Sequence, residues 1–317
     1  MKVMVTGGAG FIGSHIVDAL VARGDTVTVL DDLSTGKRDN LAHHGDLDSA
    51  PGQGGPVQLF VGSVTDMQAV QAAAEGCALI YHEAAVASVQ RTVEAPLETN
   101  AVNLGGTLNV LRAAQAVGAT RVVFAGSAAV YGDSDELPLS EGVFPRPMSP
   151  YAVEKLASEQ YVKVWSQLFG VETVTLRYFN VFGPRQDPSS PYSGVISIFV
   201  DRLLRGADVT IFGDGEQTRD FIYIGDVVQA NMLAGTVPEA SGGVFNVARG
   251  ATTSLNQLYA MLAEIVGGAP PVKYGPARQG DIKHSLARID AARNTLGFDP
   301  TVPVQEGLAR LVESVKG

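Results

Sequence analysis

Tyr151 and Lys155 stand four residues apart in Tyr151-Ala152-Val153-Glu154-Lys155, a spacing that puts both side chains on one face of a helix. A cation beside a phenol favours the phenolate and lowers its pKa from the ordinary value of about 10. Such a phenolate is a usable base near neutral pH, where proton-transfer catalysts work best. Alone, a Tyr-x-x-x-Lys pair is commonly a surface feature, so its meaning depends on its surroundings. Ser127 closes the strand-like run Val122-Val123-Phe124-Ala125-Gly126-Ser127. A hydroxyl at the carboxyl end of a strand is placed to bond a substrate hydroxyl and relay its proton to Tyr151. A second candidate site opens the chain. Gly7, Gly10 and Gly13, with Phe11 and Ile12 among them, make a G-x-x-G-x-x-G turn. Glycines there let backbone N–H groups approach a pyrophosphate at the positive end of a helix. Asp31 ends the next strand-like run; a carboxylate there accepts hydrogen bonds from ribose hydroxyls and repels a 2′-phosphate, which favours NAD over NADP.

These groups need elements to hold them. Lys2 to Thr6, Thr26 to Leu30, Val57 to Val61, Ala78 to His82 and Arg121 to Ala125 read as short buried strands. Between the first two, Ile12, Ile16, Ala19 and Leu20 share one side of a helix that stops at Gly24. Val102, Leu108, Leu111 and Ala114 repeat the helical spacing later. Ser149-Pro150 supplies an N-cap and a first-turn proline, so a helix carrying Tyr151 and Lys155 starts there. Alternating strands and helices predict an α/β fold, a Rossmann-like doubly wound parallel sheet. Residues 40–56 read as a loop; after about Arg177 the pattern loosens into a smaller C-terminal region over the sheet edge.

Composition narrows the partners. The chain has 317 residues, 45% of them apolar, enough for a sizeable core in one large domain or two. Its net charge of −10, without a dense basic run, disfavours nucleic acid and anionic membranes. One cysteine, Cys77, forbids an internal disulfide and suits a reducing cytoplasm. No signal peptide or bilayer-spanning run is visible, so a cytoplasmic protein is expected. His43 and His44 with Asp46 and Asp48 have ligand chemistry, but read as a solvated loop, and no metal is expected.

The glycine turn, Ser127 and Tyr151/Lys155, in this order, resemble the extended short-chain dehydrogenase/reductases. Arg177-Tyr178-Phe179-Asn180, Phe182-Gly183-Pro184 and Arg219-Asp220-Phe221-Ile222 are similar to segments of its nucleotide-sugar enzymes, above all the UDP-hexose 4-epimerases. The resemblance runs from Met1 to about Phe298. It implies tightly held NAD, with Tyr151 taking the proton of the sugar 4-OH while hydride leaves C4, and a 4-keto sugar that turns over before hydride returns. It adds Ser63, Val64, Asn103 and Tyr178 to the cofactor contacts. Asn180, Val195, Phe212, Arg219, Arg278, Asp281 and Ser285, with Ser127, would hold a UDP-sugar; an arginine fork suits a diphosphate. It further implies a homodimer, an NAD-binding domain over 1–176 that also receives 222–249, and a UDP-sugar domain from 177–221 and 250–317. Ser285 stands where glucose-restricted members carry Tyr, so room for an N-acetyl group is expected, and with it UDP-GlcNAc/UDP-GalNAc interconversion beside UDP-Glc/UDP-Gal. Arg185-Gln186-Asp187-Pro188 resembles the N-acetylhexosamine enzymes too. Ser63 replaces an Asp that contacts adenine in many relatives, and Glu83 reads as a polar loop residue. Ala128-Ala129, where 4,6-dehydratases carry Asp-Glu, argues against elimination. A UDP-glucuronate 4-epimerase or decarboxylase stays open, and a non-catalytic NAD-binding regulator is disfavoured by the Ser127/Tyr151/Lys155 set.

Overall fold

The computed structural model describes residues 1–50, 52–187, 194–277 and 282–316. The first half runs β1 (Lys2–Thr6), α1 (Phe11–Ala22), β2 (Thr26–Asp31), β3 (Val57–Val61), α2 (Met67–Ala74), β4 (Leu79–His82), α3 (Val89–Glu94), α4 (Pro96–Asn100), α5 (Gly106–Val117), β5 (Arg121–Ser127), α6 (Pro150–Leu168) and β6 (Glu172–Tyr178). There follow β7 (Asn180–Phe182), α7 (Val195–Leu204), β8 (Thr210–Phe212), β9 (Thr218–Arg219), β10 (Phe221–Tyr223), α8 (Ile224–Thr236), β11 (Val244–Val247), β12 (Thr253–Ser254), α9 (Leu255–Val266), β13 (Lys273–Gly275) and α10 (Val304–Lys316).

Seven of the described strands pair in parallel in the order β11-β6-β5-β4-β1-β2-β3. This is the doubly wound sheet that the alternation of strands and helices predicts. Its strands carry apolar residues toward both faces, as a sheet covered by helices requires. On β1, Val3 and Val5 join one apolar cluster and Met4 the other. The second cluster packs Ile80, Val122 and Phe124 against Val110 and Leu111 of α5 and Val162 of α6. The chain leaves β1 toward β2 and β3, then returns to the other side of β1 to lay down β4, β5 and β6. The crevice at the carboxyl ends of β1 and β4, where that direction reverses, is where such sheets bind ligands.

The C-terminal region is built from short pairs, β7 with β10, β8 with β13 and β9 with β12. Its apolar residues, including Phe182, Phe199, Leu258 and Leu308, belong to the same cluster as Val3 and Val123. The segment after Leu33 holds two single 3₁₀ turns, Arg38–Asn40 and Ala42–His44.

Candidate active site

A cavity of about 310 Å³ opens at that crevice, lined among others by Gly7, Gly10, Phe11, Ile12, Gly13 and Asp31 at one end and by Tyr151, Lys155 and Tyr178 at the other. The glycine turn is sterically obligatory. Gly7 has φ +67°, and a Cβ on Gly13 would lie 2.2 Å from the Gly7 carbonyl oxygen, far inside contact distance. α1 begins behind it with Gly10 as its cap and no side chain accepting from its first turn, so those N–H groups are left to an anion. Asp31 Oδ2 accepts from the Ala9 N–H at 2.9 Å and Oδ1 from the Leu33 N–H at 2.9 Å. Burial pushes its pKa up while the two N–H groups hold it down. The cradle without side chains, the anion-seeking helix end and the fixed carboxylate fit the pyrophosphate and ribose of a dinucleotide.

At the other end, Ser149 caps α6 by accepting from Ala152 N–H at 3.2 Å, and the Tyr151 N–H donates to Thr92 Oγ1 at 3.1 Å. These bonds fix the first turn, so Tyr151 and Lys155 both line the cavity. The Ser127 hydroxyl favours the ionised form of the Tyr151 phenol against the effect of burial. Lys155 Nζ donates to the Ala125 carbonyl at 2.8 Å and sits 5.0 Å from the centre of the Phe124 ring. Burial lowers its pKa to about 8, against the pull of Glu83 and Glu154. The sequence argument has Lys155 depressing the Tyr151 pKa. Here burial dominates and raises it, Ser127 opposes that, and the Glu154 carboxylate adds to it. The ammonium is turned onto the Ala125 carbonyl.

The remaining expected residues fall into three groups. Tyr178 and Val64 line the same cavity. Ser63 and Asn103 do not. The Ser63 hydroxyl takes up Thr65, accepting from its N–H at 3.2 Å and its hydroxyl at 2.9 Å. Asn103 is buried behind the wall, accepting from Val86 N–H at 2.7 Å and donating to Glu154 at 2.6 Å, which pins the wall segment 83–87 to α6. Asn180, Val195, Phe212 and Arg219 come together in a second cavity of about 480 Å³. Arg219 donates to its neighbour Thr218's carbonyl at 2.9 Å. Ser285 lines neither cavity but is tied to this region, its N–H donating to the Thr218 carbonyl at 3.2 Å. Arg278 and Asp281 lie outside the described residues.

Three residues escape the sequence reading. Glu83, a polar loop residue by its sequence context, lines the first cavity between Lys155 and Tyr178. Asp220 is fully buried and accepts from the N–H groups of Arg249, Gly250 and Ala287 at 2.9–3.1 Å, knitting three chain segments together. Asp18 on α1 takes both His43 and His44, at 2.9 and 2.8 Å, where the sequence points to Asp46 and Asp48. These three could in principle hold a metal, but Arg185 occupies the other Asp18 oxygen at 2.8 Å, and its charge opposes a cation. None of the three has a signal in spacing, since each partner is distant in sequence.

A glycine cradle on a doubly wound sheet, with Ser127, Tyr151 and Lys155 gathered at its carboxyl edge, defines a dinucleotide-dependent enzyme of the extended short-chain dehydrogenase/reductase type. The chain belongs to the NAD dependent epimerase/dehydratase family, whose model matches residues 3–248, and NAD is its cofactor. It is similar to the UDP-glucose 4-epimerase of Mycolicibacterium smegmatis, 38% identical over 315 residues, which cover 99% of this chain and 98% of that protein. Among solved structures it is similar to the UDP-N-acetylglucosamine 4-epimerase of Methanobrevibacter ruminantium in complex with UDP-N-acetylmuramic acid, with a TM-score of 0.92 at 38% identity over 99% of this chain and 98% of that one. It is also similar to the Thermus thermophilus UDP-glucose 4-epimerase complex with NAD, with a TM-score of 0.88 at 40% identity over 100% and 99%.

Proposed function

We propose that this chain is an isomerase, an NAD-dependent 4-epimerase of UDP-hexoses that interconverts UDP-GlcNAc and UDP-GalNAc as well as UDP-Glc and UDP-Gal. The observation that carries the reading is the adjacency of the two cavities. Tyr178 ends β6 in the first and Asn180 begins β7 in the second, so a nucleotide held in the second has its sugar directed at the sheet edge where Tyr151 stands. NAD, when bound, supplies a hydride acceptor at C4 and a positively charged ring. Tyr151 holds the proton of the sugar 4-OH, Ser127 steadies the phenolate, and Lys155 orients the cofactor ribose. Arg219 pairs with the diphosphate. The same residues serve in reverse once the 4-keto sugar has turned over, so the reaction is redox-neutral.

In this reading residues 1–176 with 222–249 form the NAD half, and 177–221 with 250–317 the UDP-sugar half. Arg278 and Asp281 join Arg219 and Asn180 on the substrate, and the short Ser285 side chain leaves room for the N-acetyl group. We also assign the enzyme to a homodimer. Val153, Tyr161, Val164 and Leu168 lie on one face of α6 and are exposed, beside exposed Val89 and Val93 of α3 and Leu97 of α4. An apolar stripe of this kind on a polar chain suits a second copy.

The test is to incubate the purified protein with UDP-GalNAc and with UDP-Gal and to separate the products. Both should be converted to their gluco partners. Ser285→Tyr should lower UDP-GalNAc turnover at least tenfold while sparing UDP-Gal. No conversion of either sugar by protein that contains NAD overturns the reading, and equal loss of both in the variant overturns the role of Ser285.

A further inference from the structure

Glu83 sits directly after β4 with its side chain on the wall of the nucleotide cavity, at the end shared with Tyr151, Lys155 and Tyr178. Its Oε1 lies 3.0 Å from the Tyr178 hydroxyl. That hydroxyl already accepts from Asn231 Nδ2 at 2.8 Å, and the same Nδ2 donates to the Val227 carbonyl at 2.9 Å. The same hydroxyl lies 3.0 Å from Asn231 Oδ1, so its proton has two acceptors at equal distance, Glu83 Oε1 and Asn231 Oδ1. As an acceptor the carboxyl takes the role that suits its ionised form. Tyr178 keeps its proton, because burial and the Glu83 charge raise its pKa well above the ordinary value.

The groups facing Glu83 are Tyr178 from β6 and Lys155 from α6, the latter the cation that pulls on it. His82, next to it on β4, is a neutral neighbour: it is bonded to Thr6 and Thr107 and burial holds its pKa to about 3. Among the described residues, the end of the cavity beside Tyr151 is thus lined by one cation, Lys155, and one anion, Glu83. In the proposed reaction, on which this step rests, the cofactor ring would be positive when oxidised and neutral when reduced, and Tyr151, whose pKa burial raises, keeps its proton in the sugar-free site. Lys155 is faced by Glu83 on this wall and feels Glu154 behind it, so the Glu83 charge adds directly to the negative side of the site. Without the Glu83 charge the site is one unit more positive, and the positive ring is disfavoured in a medium where charges interact strongly.

We infer that Glu83 sets the preference of this cavity for the oxidised over the reduced form of the cofactor, by supplying the fixed negative charge that faces Lys155. The preference strengthens as the carboxyl ionises. Burial raises its pKa to about 7, against Tyr178 and Lys155, which lower it, so the carboxylate is mostly absent at pH 6 and mostly present at pH 8.

The experiment needs no sugar, so it stands apart from the epimerase assay. The folded protein is equilibrated with excess NAD and NADH in equal amounts, and the bound nucleotides are released and quantified. Glu83→Gln keeps the shape and an acceptor for Tyr178 but removes the charge. Its bound NAD/NADH ratio should fall on the order of tenfold at pH 8. The parent ratio should climb from pH 6 to 8, and the variant should keep only the part of the climb due to Lys155 near pH 8. Glu83→Asp keeps the charge and should stay near the parent. A Glu83→Gln ratio equal to the parent's overturns the inference, as does a Glu83→Asp ratio equal to that of Glu83→Gln. Should Glu83→Gln not fold, a parent ratio that is flat between pH 6 and 8 overturns it equally.

Discussion

Tyr151 shows what spacing alone can and cannot say about a residue. Its position four before Lys155, after a strand ending in Ser127, is enough to propose the chemistry. The sign of its pKa shift is not legible, because it depends on burial and on where the Lys155 ammonium points. With the phenol held up by burial and the phenolate favoured by Ser127, kcat/KM should rise with pH over the range in which the phenol ionises. Ser127→Ala removes the hydroxyl that favours the anion, so its acid limb should move to higher pH; a profile from pH 6 to 10 reads this directly. Tyr151→Phe should lose about 10²–10⁴ in kcat, with the content of bound NAD unchanged on denaturation and absorbance measurement. Glu83 marks the opposite limit. Its meaning lies in Tyr178, 95 residues away, and in Lys155. No local pattern joins the three, and a polar residue after a strand looks the same whether it faces water or a cofactor.

Among the elements, the strands up to β5 and the helices α1 and α5 are legible from their periods, whereas α3 and α4, of six and five residues, are too short to show one. The Ser149-Pro150 start of α6 and the end of β5 at Ser127 emerge as the spacing predicts. The later pairs, such as β9 with β12, are two or three residues long and join segments far apart in sequence, so they leave no periodic trace. Arg177 belongs to a recognisable motif, yet its side chain is spent on a buried ion pair with Glu159 of α6, at 2.6 and 2.8 Å. The motif residue holds β6 to α6, and through α6 it steadies Tyr151. The contact between the glycine turn and α1 is tighter still. Gly13→Ala would put a methyl 2.2 Å from the Gly7 oxygen, which the backbone relieves only by shifting. A loss of about 1–3 kcal/mol is expected. The variant should show a lower melting temperature and a reduced content of bound NAD. Retention of both at parental values would contradict the close packing.

At the scale of the whole molecule, the exposed stripe of α3, α4 and α6 is the surface a second copy has reason to cover. Leu97 is 87% and Leu168 71% exposed, and with Val89, Val93, Val153, Tyr161 and Val164 they make a run on neighbouring helices. Light scattering on the eluted protein should give twice the chain mass of 33.2 kDa. Leu168→Asp with Val164→Asp, on the face away from the nucleotide cavity, should shift it to one chain while NAD stays bound. A single-chain mass for the parent would contradict the assignment.

The large sheet is completed only by β11, whose residues Val244–Val247 pair with β6. When the ribosome has made everything through Tyr178, the nascent chain holds six of the seven strands and an open edge of hydrophobic backbone. That edge stays bare while β7 to α8 are synthesised. The sheet is therefore whole only once Val247 has been made. Until then the free edge of β6 is where another strand would pair, and the interval before Val247 emerges is when the chain most needs cover.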